Sequence, residues 1–282
     1  MSDVRTIFEA LAAVTPLVRE EFRTAHGKTA SKNPSGDVQL DADRRIDRRF
    51  HHQLAPLDAV GAFASEERET VEDLGEGLSV AIDPLDGSSN LRSNNIVGTV
   101  VGVYDGPLPA SGADLVASAF FLYGPLTTMT TAVDGEATRH TIENGEIIAS
   151  DPVVFPDTSQ ICGFAGAMNE WSEPIRAFWK RLNHEYKLRY TGAMVGDVDH
   201  LLVEGGLLGY PERASNPDGD LRLQYEANPI AHLIEAAGGC SSTGHRSILD
   251  TPPEGLHQHV PAYFGNAALI SDLEDHIEKK AD

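Results

Sequence analysis

Lysine is scarce in this chain: it occurs only at Lys28, Lys32, Lys180, Lys187, Lys279 and Lys280, in 282 residues that carry 43 Asp plus Glu. The formal net charge is −21. A field of that sign excludes phosphate-backbone partners, which need clustered Lys and Arg, so neither nucleic acid nor an anionic membrane is an expected partner. Cysteine is almost absent. Cys162 and Cys240 are too few for a disulfide framework and lack the CxxC spacing of zinc or redox sites, so both are expected to be small buried apolar groups. No apolar run approaches the roughly 18 residues that a membrane helix needs. The opening MSDVRTIFEALAAVTPLVREEF is amphipathic and acidic rather than a basic start followed by an apolar core, and a soluble, cytoplasmic protein is the expectation.

The acid-rich, lysine-poor balance suits a cytosol of molar salt. There, repulsion between carboxylates is screened within roughly 3 Å and their hydration keeps the chain dissolved. A halophilic source is the reading; an acidic enzyme from moderate salt is the alternative.

Val4, Ile7, Phe8, Leu11, Val14, Leu17, Val18 and Phe22 recur three or four apart, which predicts a long first helix ending near Gly27. The polar loop TASKNPSGD precedes a second helical pattern through Ile46, Phe50 and Leu54. LSVAID, VGTVVGVY, DLVASAFFLYG, TTMTTAV, ATRHTI and EIIASD then read as six strands, several joined by DG or NG turns, making a mostly antiparallel sheet. From QICGFAG onward strands and helices alternate, with YKLRYTG, LLGYP and AYFGN as further strands. The expected class is α/β, layered in the α+β sense, with an N-terminal half over 1–156, a C-terminal α/β half over 157–282, and the seam near 151–160.

The stretch AIDPLDGSSN, residues 81–90, carries the chemistry. Asp83 and Asp86 stand three apart at the exit of a strand, and Pro84 fixes the turn between them, so two hard oxygen ligands can converge. Gly87, Ser88, Ser89 and Asn90 offer consecutive backbone N–H groups, a nest for an anion. Glu66 and Glu67 end the apolar stretch VGAFAS; Asp37 and Asp43 flank the second helix; Glu226 precedes Asn228 and Pro229, which read as N-cap and first helical position. Mg²⁺ favours several carboxylates plus water and phosphate oxygens, and paired ions clamp both oxygens of a phosphoryl transfer. Taken by spacing alone, a DxxDG loop is also an ordinary Asx-type turn, and SEE a solvated edge. The 11 histidines, including His51, His52, His257 and His259, read as surface or structural groups rather than zinc ligands, and no GxSxG elbow is present.

IDPLDGSSN, with FASEE upstream and YEANPIAHLIEAAGG downstream, resembles class I fructose-1,6-bisphosphatase, in the lithium-sensitive superfamily that also holds inositol monophosphatase. From about residue 33 onward, NPSGDVQLDAD, VGTVVGVY, LYGPLT, the asparagine of AMNEW, LRYTGAMVGDV, GYP, LRLQYEANPIA, AAGGCSSTG and GLHQHVPAYFGN follow the family's order. Ser88 after Gly87 points to the fructose-bisphosphatase branch, since inositol phosphatases usually carry Thr there.

The resemblance implies a sugar phosphatase fold with αβαβα layers. It also implies hydrolysis of the 1-phosphate of fructose 1,6-bisphosphate to fructose 6-phosphate in gluconeogenesis. It assigns Glu66, Asp83, the Leu85 carbonyl, Asp86 and Glu226 to two or three Mg²⁺ ions, with Mn²⁺ as a substitute, and Asp37, Asp43 and Glu67 to the attacking water. Asp86, Gly87, Ser88, Ser89 and Asn90 would hold the departing phosphate. Asn169, Arg189, Tyr190 and Tyr210 would hold the distal phosphate of the sugar, with Arg189 shared across the interface of a homodimer or homotetramer.

Three departures stand out. The family lysine two residues before Arg222 is Asp220 here, the family Asp two residues after Asn90 is Arg92, and a tyrosine after the pocket asparagine is replaced near Trp171 and Ser172. The expectation is that Arg92 supplies the missing cation and pairs with Asp220. The alternatives are another sugar phosphate, such as sedoheptulose bisphosphate or inositol monophosphate, and a silent sugar-phosphate-binding regulator.

Overall fold

The computed structural model describes residues 2–25, 31–32, 38–39 and 41–279, so Asp37 lies outside the described residues. The first helix, α1, is Ser2–Ala25, and α2 is Asp41–Leu54. Val4, Ile7, Phe8, Leu11, Val14 and Val18 bury one face of α1 against Ile46, Phe50 and Leu54 of α2, while Leu17 turns outward at 42% exposure.

Beneath them lies an eight-stranded sheet in the order Glu146–Val153, Glu136–Glu143, Thr127–Val133, Leu115–Tyr123, Gly98–Tyr104, Leu78–Asp86, Val60–Ser65, Glu72–Asp73. Every pairing is antiparallel except that of Val60–Ser65 with Leu78–Asp86. The six expected strands all form. The β-branched, small and aromatic composition explains it, since these side chains pack on a pleated surface; Gly98–Tyr104 and Leu115–Tyr123 at the centre are buried on both faces, whereas the edge strand Glu146–Val153 is exposed.

The second sheet has five strands, ordered Lys187–Leu188, Ile161–Phe164, Gly206–Tyr210, Ala262–Gly265, Cys240–Ser242. Two expectations are corrected here. Cys240, expected to be buried, is only half-buried on the strand Cys240–Ser242, an element not predicted from the sequence, whereas Cys162 is fully buried; both are free thiols. The strand expected over YKLRYTG pairs only at Lys187–Leu188. Past Leu188 the Arg189 N–H still reaches the Cys162 carbonyl at 2.9 Å; then Asp197 Oδ1, in the first turn of the next helix, accepts the Thr191 N–H at 2.6 Å and holds 191–193 as the bend leading into it.

That helix, α4 (Met194–Glu204), and α5 (Asn228–Ala237) lie between the two sheets; Val195, Val198, Ile230, Leu233 and Ile234 share one core with Val100 and Phe120. The remaining helices, α3 (Glu173–Glu185) and α6 (Ala267–Glu278), cover the outer face of the second sheet around Phe164, Phe178, Leu207 and Tyr263. The layer sequence is thus αβαβα, as the resemblance implied. Histidines serve the packing: His232 Nδ1 meets Ser118 Oγ at 2.9 Å and His257 Nε2 meets the Arg68 carbonyl at 2.9 Å. Among the described residues no helix is long and apolar enough to cross a membrane.

Candidate metal and phosphate site

Strand Leu78–Asp86 ends in the quoted motif, and its pairing with Gly98–Tyr104 shifts register between Asp83 and Asp86. Pro84 donates nothing, and its carbonyl takes the Thr99 hydroxyl at 2.8 Å, so the bulge is anchored from below. Asp83 and Asp86 thereby face the same side, and with Glu226 they offer carboxylate oxygens all within 4.8 Å of one another.

Glu226 arrives by a route the sequence reading had wrong. Asn228 is not an N-cap with extended backbone: Leu223–Ala227 forms a π-helical turn that runs straight into α5, with Pro229 in its first turn. The turn is held by Gln224, whose side chain exchanges two hydrogen bonds with Ala110 (2.9 and 2.8 Å), and by Tyr104 donating to the Gln224 carbonyl at 2.9 Å. Such turns cost regular helical bonding and recur where a side chain must be re-aimed.

Four more acids surround these three. Glu66 follows strand Val60–Ser65 and is linked to Arg222 Nη2 at 3.2 Å, and Arg222 Nη1 stands 3.6 Å from Glu226. The Arg222 side chain is only 6% exposed, so this guanidinium is a buried counter-charge set among carboxylates. Glu67, Asp43 and Asp47 complete the acidic wall, and Arg68 ties Asp47 at 3.1 Å.

With so much negative charge out of water, protonation becomes favourable. Burial first, then Glu66, Glu226 and Asp86, push Asp83 well above the usual carboxylate range. Burial raises Asp86 to about 6 even though the N–H groups of Val195, Met194 and Gly87 pull the other way. Burial raises Glu226 to about 8, with Arg222 opposing, and lifts Glu67 to about 9 with help from Glu66, Asp43 and Asp47. Glu67 Oε2 is buried and has no hydrogen-bond partner among the described residues. A wall of hard oxygens this crowded is the donor set of a divalent cation with water ligands, and binding one would relieve the repulsion.

The motif's second half turns away from the acids. Gly87 adopts φ +73°, and a Cβ there would lie 2.3 Å from the Ala193 Cβ, so only glycine lets this turn approach the start of α4. Ser88–Ser93 then winds as a 3₁₀ turn, whose opening amides at Ser88 and Ser89 have no intrahelical acceptor. Asn90 is structural as well as adjacent: its Nδ2 donates to the carbonyls of Ile96 (2.9 Å) and Thr191 (3.0 Å), locking the turn to α4. Val195 N–H donates to Asp86 Oδ2 at 2.8 Å, so the N-terminus of α4 holds this acid.

Farther out, Tyr190 and Tyr210 lie within the field of the same acids. Burial raises both phenols, and Asp197 and Asp86 add to the effect in each. Asn169 is exposed, and among the described residues the exposed Arg189 side chain bonds only the Leu188 carbonyl, at 2.9 Å. The expected Arg92–Asp220 pair does not form. Arg92 is exposed, and Asp220 is instead held by Arg213 and by Asn216 Nδ2 at 3.0 Å. Arg213 lies seven residues away along its own loop, a nearer and better-fixed partner. Arg222, Asp197 and Arg213 were missed by sequence reading; the one signal available was a charged residue inside the apolar run LRLQYEA.

Family models describing the fructose-1-6-bisphosphatase N-terminal and C-terminal domains match residues 1–152 and 155–278. The chain is 41% identical over 276 residues to fructose-1,6-bisphosphatase class 1 1 of Haloarcula marismortui, covering 98% of this chain and 95% of the relative. It is 44% identical over 285 residues to the class 1 protein of Halobacterium salinarum, covering 98% and 99%. The fold superimposes on the holo form of Leishmania major fructose-1,6-bisphosphatase with a TM-score of 0.92, at 27% identity, over 99% of this chain and 95% of that one. The chain therefore belongs to the fructose-1,6-bisphosphatase family.

Proposed function

We propose that the protein is a Mg²⁺-dependent fructose-1,6-bisphosphatase, releasing the 1-phosphate of fructose 1,6-bisphosphate to leave fructose 6-phosphate, a gluconeogenic step. The observation that carries this is the convergence of Asp83, Asp86 and Glu226 within 4.8 Å beside the Gly87–Ser89 turn. Cation ligands and an anion nest adjoin in one motif, and Tyr190 and Tyr210 give a second contact region for a substrate with two phosphates.

Glu66, Asp83, Asp86, Glu226 and the Leu85 carbonyl would hold the ions, two or three in number, and Mn²⁺ fits the same oxygens. When bound, Mg²⁺ supplies Lewis-acid polarisation and a water acidic enough to act as nucleophile. The chain's own residues do the rest. The amides of Gly87, Ser88 and Ser89 orient the phosphoryl group in line. With cations bound beside it, Glu67 would be held ionised, and its Oε2, buried and without a hydrogen-bond partner among the described residues, would take the proton of the water that adds to phosphorus; the phosphorus–oxygen bond to the sugar C1 breaks in the same step, and the departing sugar oxygen is protonated from solvent. Asp43, and Asp37 by its place in the motif, keep that water aligned. Asn169, Arg189, Tyr190 and Tyr210 fix the far end, and the outward position of Arg189 supports its use by a neighbouring subunit in a homodimer or homotetramer.

The test is phosphate release by the purified protein in molar KCl with Mg²⁺, on fructose 1,6-bisphosphate, sedoheptulose bisphosphate, fructose 6-phosphate and inositol 1-phosphate. The expected result is a kcat/KM for fructose 1,6-bisphosphate well above the others; equal rates on all four would sink the assignment. The same assay in dilute buffer should give a slower, less stable enzyme, because a charge of −21 is then unscreened. A salt-rich cytoplasm is the environment this composition supports.

A further inference from the structure

The loop Pro211–Asp220 leaves the second sheet directly after Tyr210, and Arg213 is its centre. A guanidinium has five N–H donors. Nη2 donates to Asp220 Oδ1, Nη1 reaches Glu170 Oε2 at 3.4 Å, and the buried Nε has no acceptor among the described residues. Asp220 is itself steadied by Asn216 Nδ2 at 3.0 Å. The two carboxylates are unequal partners. The Asp220 contact is short and is the largest cause raising the Arg213 pKa. The Glu170 contact is long, and the same Glu170 oxygen already accepts the Ser215 hydroxyl at 2.7 Å.

Two observations set this bracket at the distal end of the site. Gly166, at φ +92°, would bring a Cβ to 2.7 Å from Arg213 Cδ, so the arginine lies against the loop that carries Asn169 and Glu170; the backbone bond from Ala214 N–H to the Glu170 carbonyl at 2.9 Å joins the two loops. The Tyr190 hydroxyl feels the negative charge of Asp197, Asp220 and Asp86 and the positive charge of Arg213. Tyr190 therefore lies within reach of the charges of both the metal acids and the bracket. A phosphate brought to Tyr190 and Tyr210 meets acids on one side and needs a cation on the other; Arg213, about one quarter exposed, is placed to be it.

Resting on the bisphosphatase reading, we propose that Arg213 is the cation for the distal phosphate, that Asp220 is its permanent orienting partner, and that Glu170 is a placeholder which the phosphate displaces from Nη1. A phosphate dianion offers the planar fork more charge than a carboxylate held at the edge of hydrogen-bonding range. Asp220 then does not repel the substrate, because its charge is already matched.

The proposal predicts opposite effects from the two ends of one bracket. In molar KCl with Mg²⁺, Arg213→Ala raises KM for fructose 1,6-bisphosphate about tenfold or more. It lowers the kcat/KM ratio of fructose 1,6-bisphosphate to fructose 1-phosphate by a similar factor. Arg213→Lys recovers part of the loss, and covers the case in which the alanine variant folds poorly. Glu170→Gln lowers KM for the bisphosphate, about two- to threefold, because the competitor has gone. Asp220→Asn raises it, by less than Arg213→Ala.

An unchanged KM in Arg213→Ala, equal losses on both substrates, or a Glu170→Gln variant that weakens binding as Arg213→Ala does, each overturns the proposal and makes the bracket a structural brace. The wild-type protein is measured first. If it does not hydrolyse the bisphosphate, the functional reading falls and takes this inference with it; if it does, the variants decide the inference alone.

Discussion

The two ends of the proposed site are built on different principles. At the metal end, Asp83, Asp86 and Glu226 are 3, 8 and 6% exposed, and each has at least one oxygen tied to a backbone N–H. At the distal end, Tyr190 is 48% exposed, Asn169 and Arg189 face outward, and the fixed charge is an arginine braced by side chains on two loops. The first end is preorganised by strand, bulge and π turn before any ligand arrives. The second leaves room for exchange of partners. Charge that develops during reaction is best met by groups that need not move, whereas discrimination between sugars calls only for contacts that add binding energy equally to ground and transition states. Changes at the first end should therefore appear in kcat, and changes at the second in KM.

The largest effect expected is from Asp83→Asn. Losing one hard ligand from the cluster removes several kcal/mol of charge stabilisation, so kcat should fall about 10³-fold or more while the fold survives. Phosphate release checks this, with circular dichroism for the fold. A variant with near-normal kcat would mean that the acidic cluster is not where the reaction occurs.

Next comes Arg222, the buried cation between Glu66 and Glu226. Arg222→Ala leaves two carboxylates facing one another, and breaking a buried pair by removing one partner typically costs about 3–5 kcal/mol. Urea unfolding of the metal-free protein should show a loss of that order, partly recovered when Mg²⁺ is added. Arg213→Ala, about one quarter exposed at the other end, should cost far less, since screened pairs contribute little.

Acidity tests the same contrast without mutation. Asp86 and Glu226 are raised to about 6 and about 8 by burial, so the metal-free folded state binds protons that the unfolded chain releases near pH 4. Their contribution to stability is fully present below that pH and is lost as pH rises through about 6 and then about 8. In EDTA the melting temperature should fall between pH 5 and pH 9, and saturating Mg²⁺ should flatten the slope by taking the protons' place. A slope that persists under saturating Mg²⁺ would locate the titrating groups away from the ligands.

How much of this was legible in the sequence follows the same division. IDPLDGSSN and SEE were readable because their geometry is local: strand exit, proline, glycine and consecutive amides lie within one turn of each other. The six antiparallel strands and α1 were readable from alternation and from the 3.6-residue period. Glu226 was assigned through the resemblance, but the π turn that aims it depends on Gln224 meeting Ala110 from 114 residues away, which no local pattern encodes. The strand expected at YKLRYTG was cut short by a competitor only six residues on, a helix-start carboxylate, Asp197, that captures the Thr191 amide; alternation of apolar residues does not register such a capping contact. Arg92 was matched to Asp220 because the two charges looked exchanged relative to the family. Folding instead gave Asp220 a partner from its own loop, and the pairing of Arg213 with Glu170 across two loops is invisible to periodicity.

The smallest of the expected effects bears most directly on the comparison. Tyr210 is buried at the distal end, and its phenol is raised by burial and by Asp197 and Asp86, so it remains a neutral O–H donor throughout the working range. Tyr210→Phe removes that donor and little else. If its role is to hold a distant phosphate, the loss is one neutral hydrogen bond to a charged group, about 1.5–3 kcal/mol, and it falls equally on substrate and transition state. KM for fructose 1,6-bisphosphate should then rise about tenfold with kcat nearly unchanged. A fall in kcat instead would mean that the phenol's neighbours, Asp197 and Asp86, feel its loss and that the two ends are mechanically one. In that case Asp197→Asn, which keeps an acceptor for the Thr191 N–H, should leave kcat higher than Asp197→Ala does, because the joint between the ends is the Thr191 turn and not the charge.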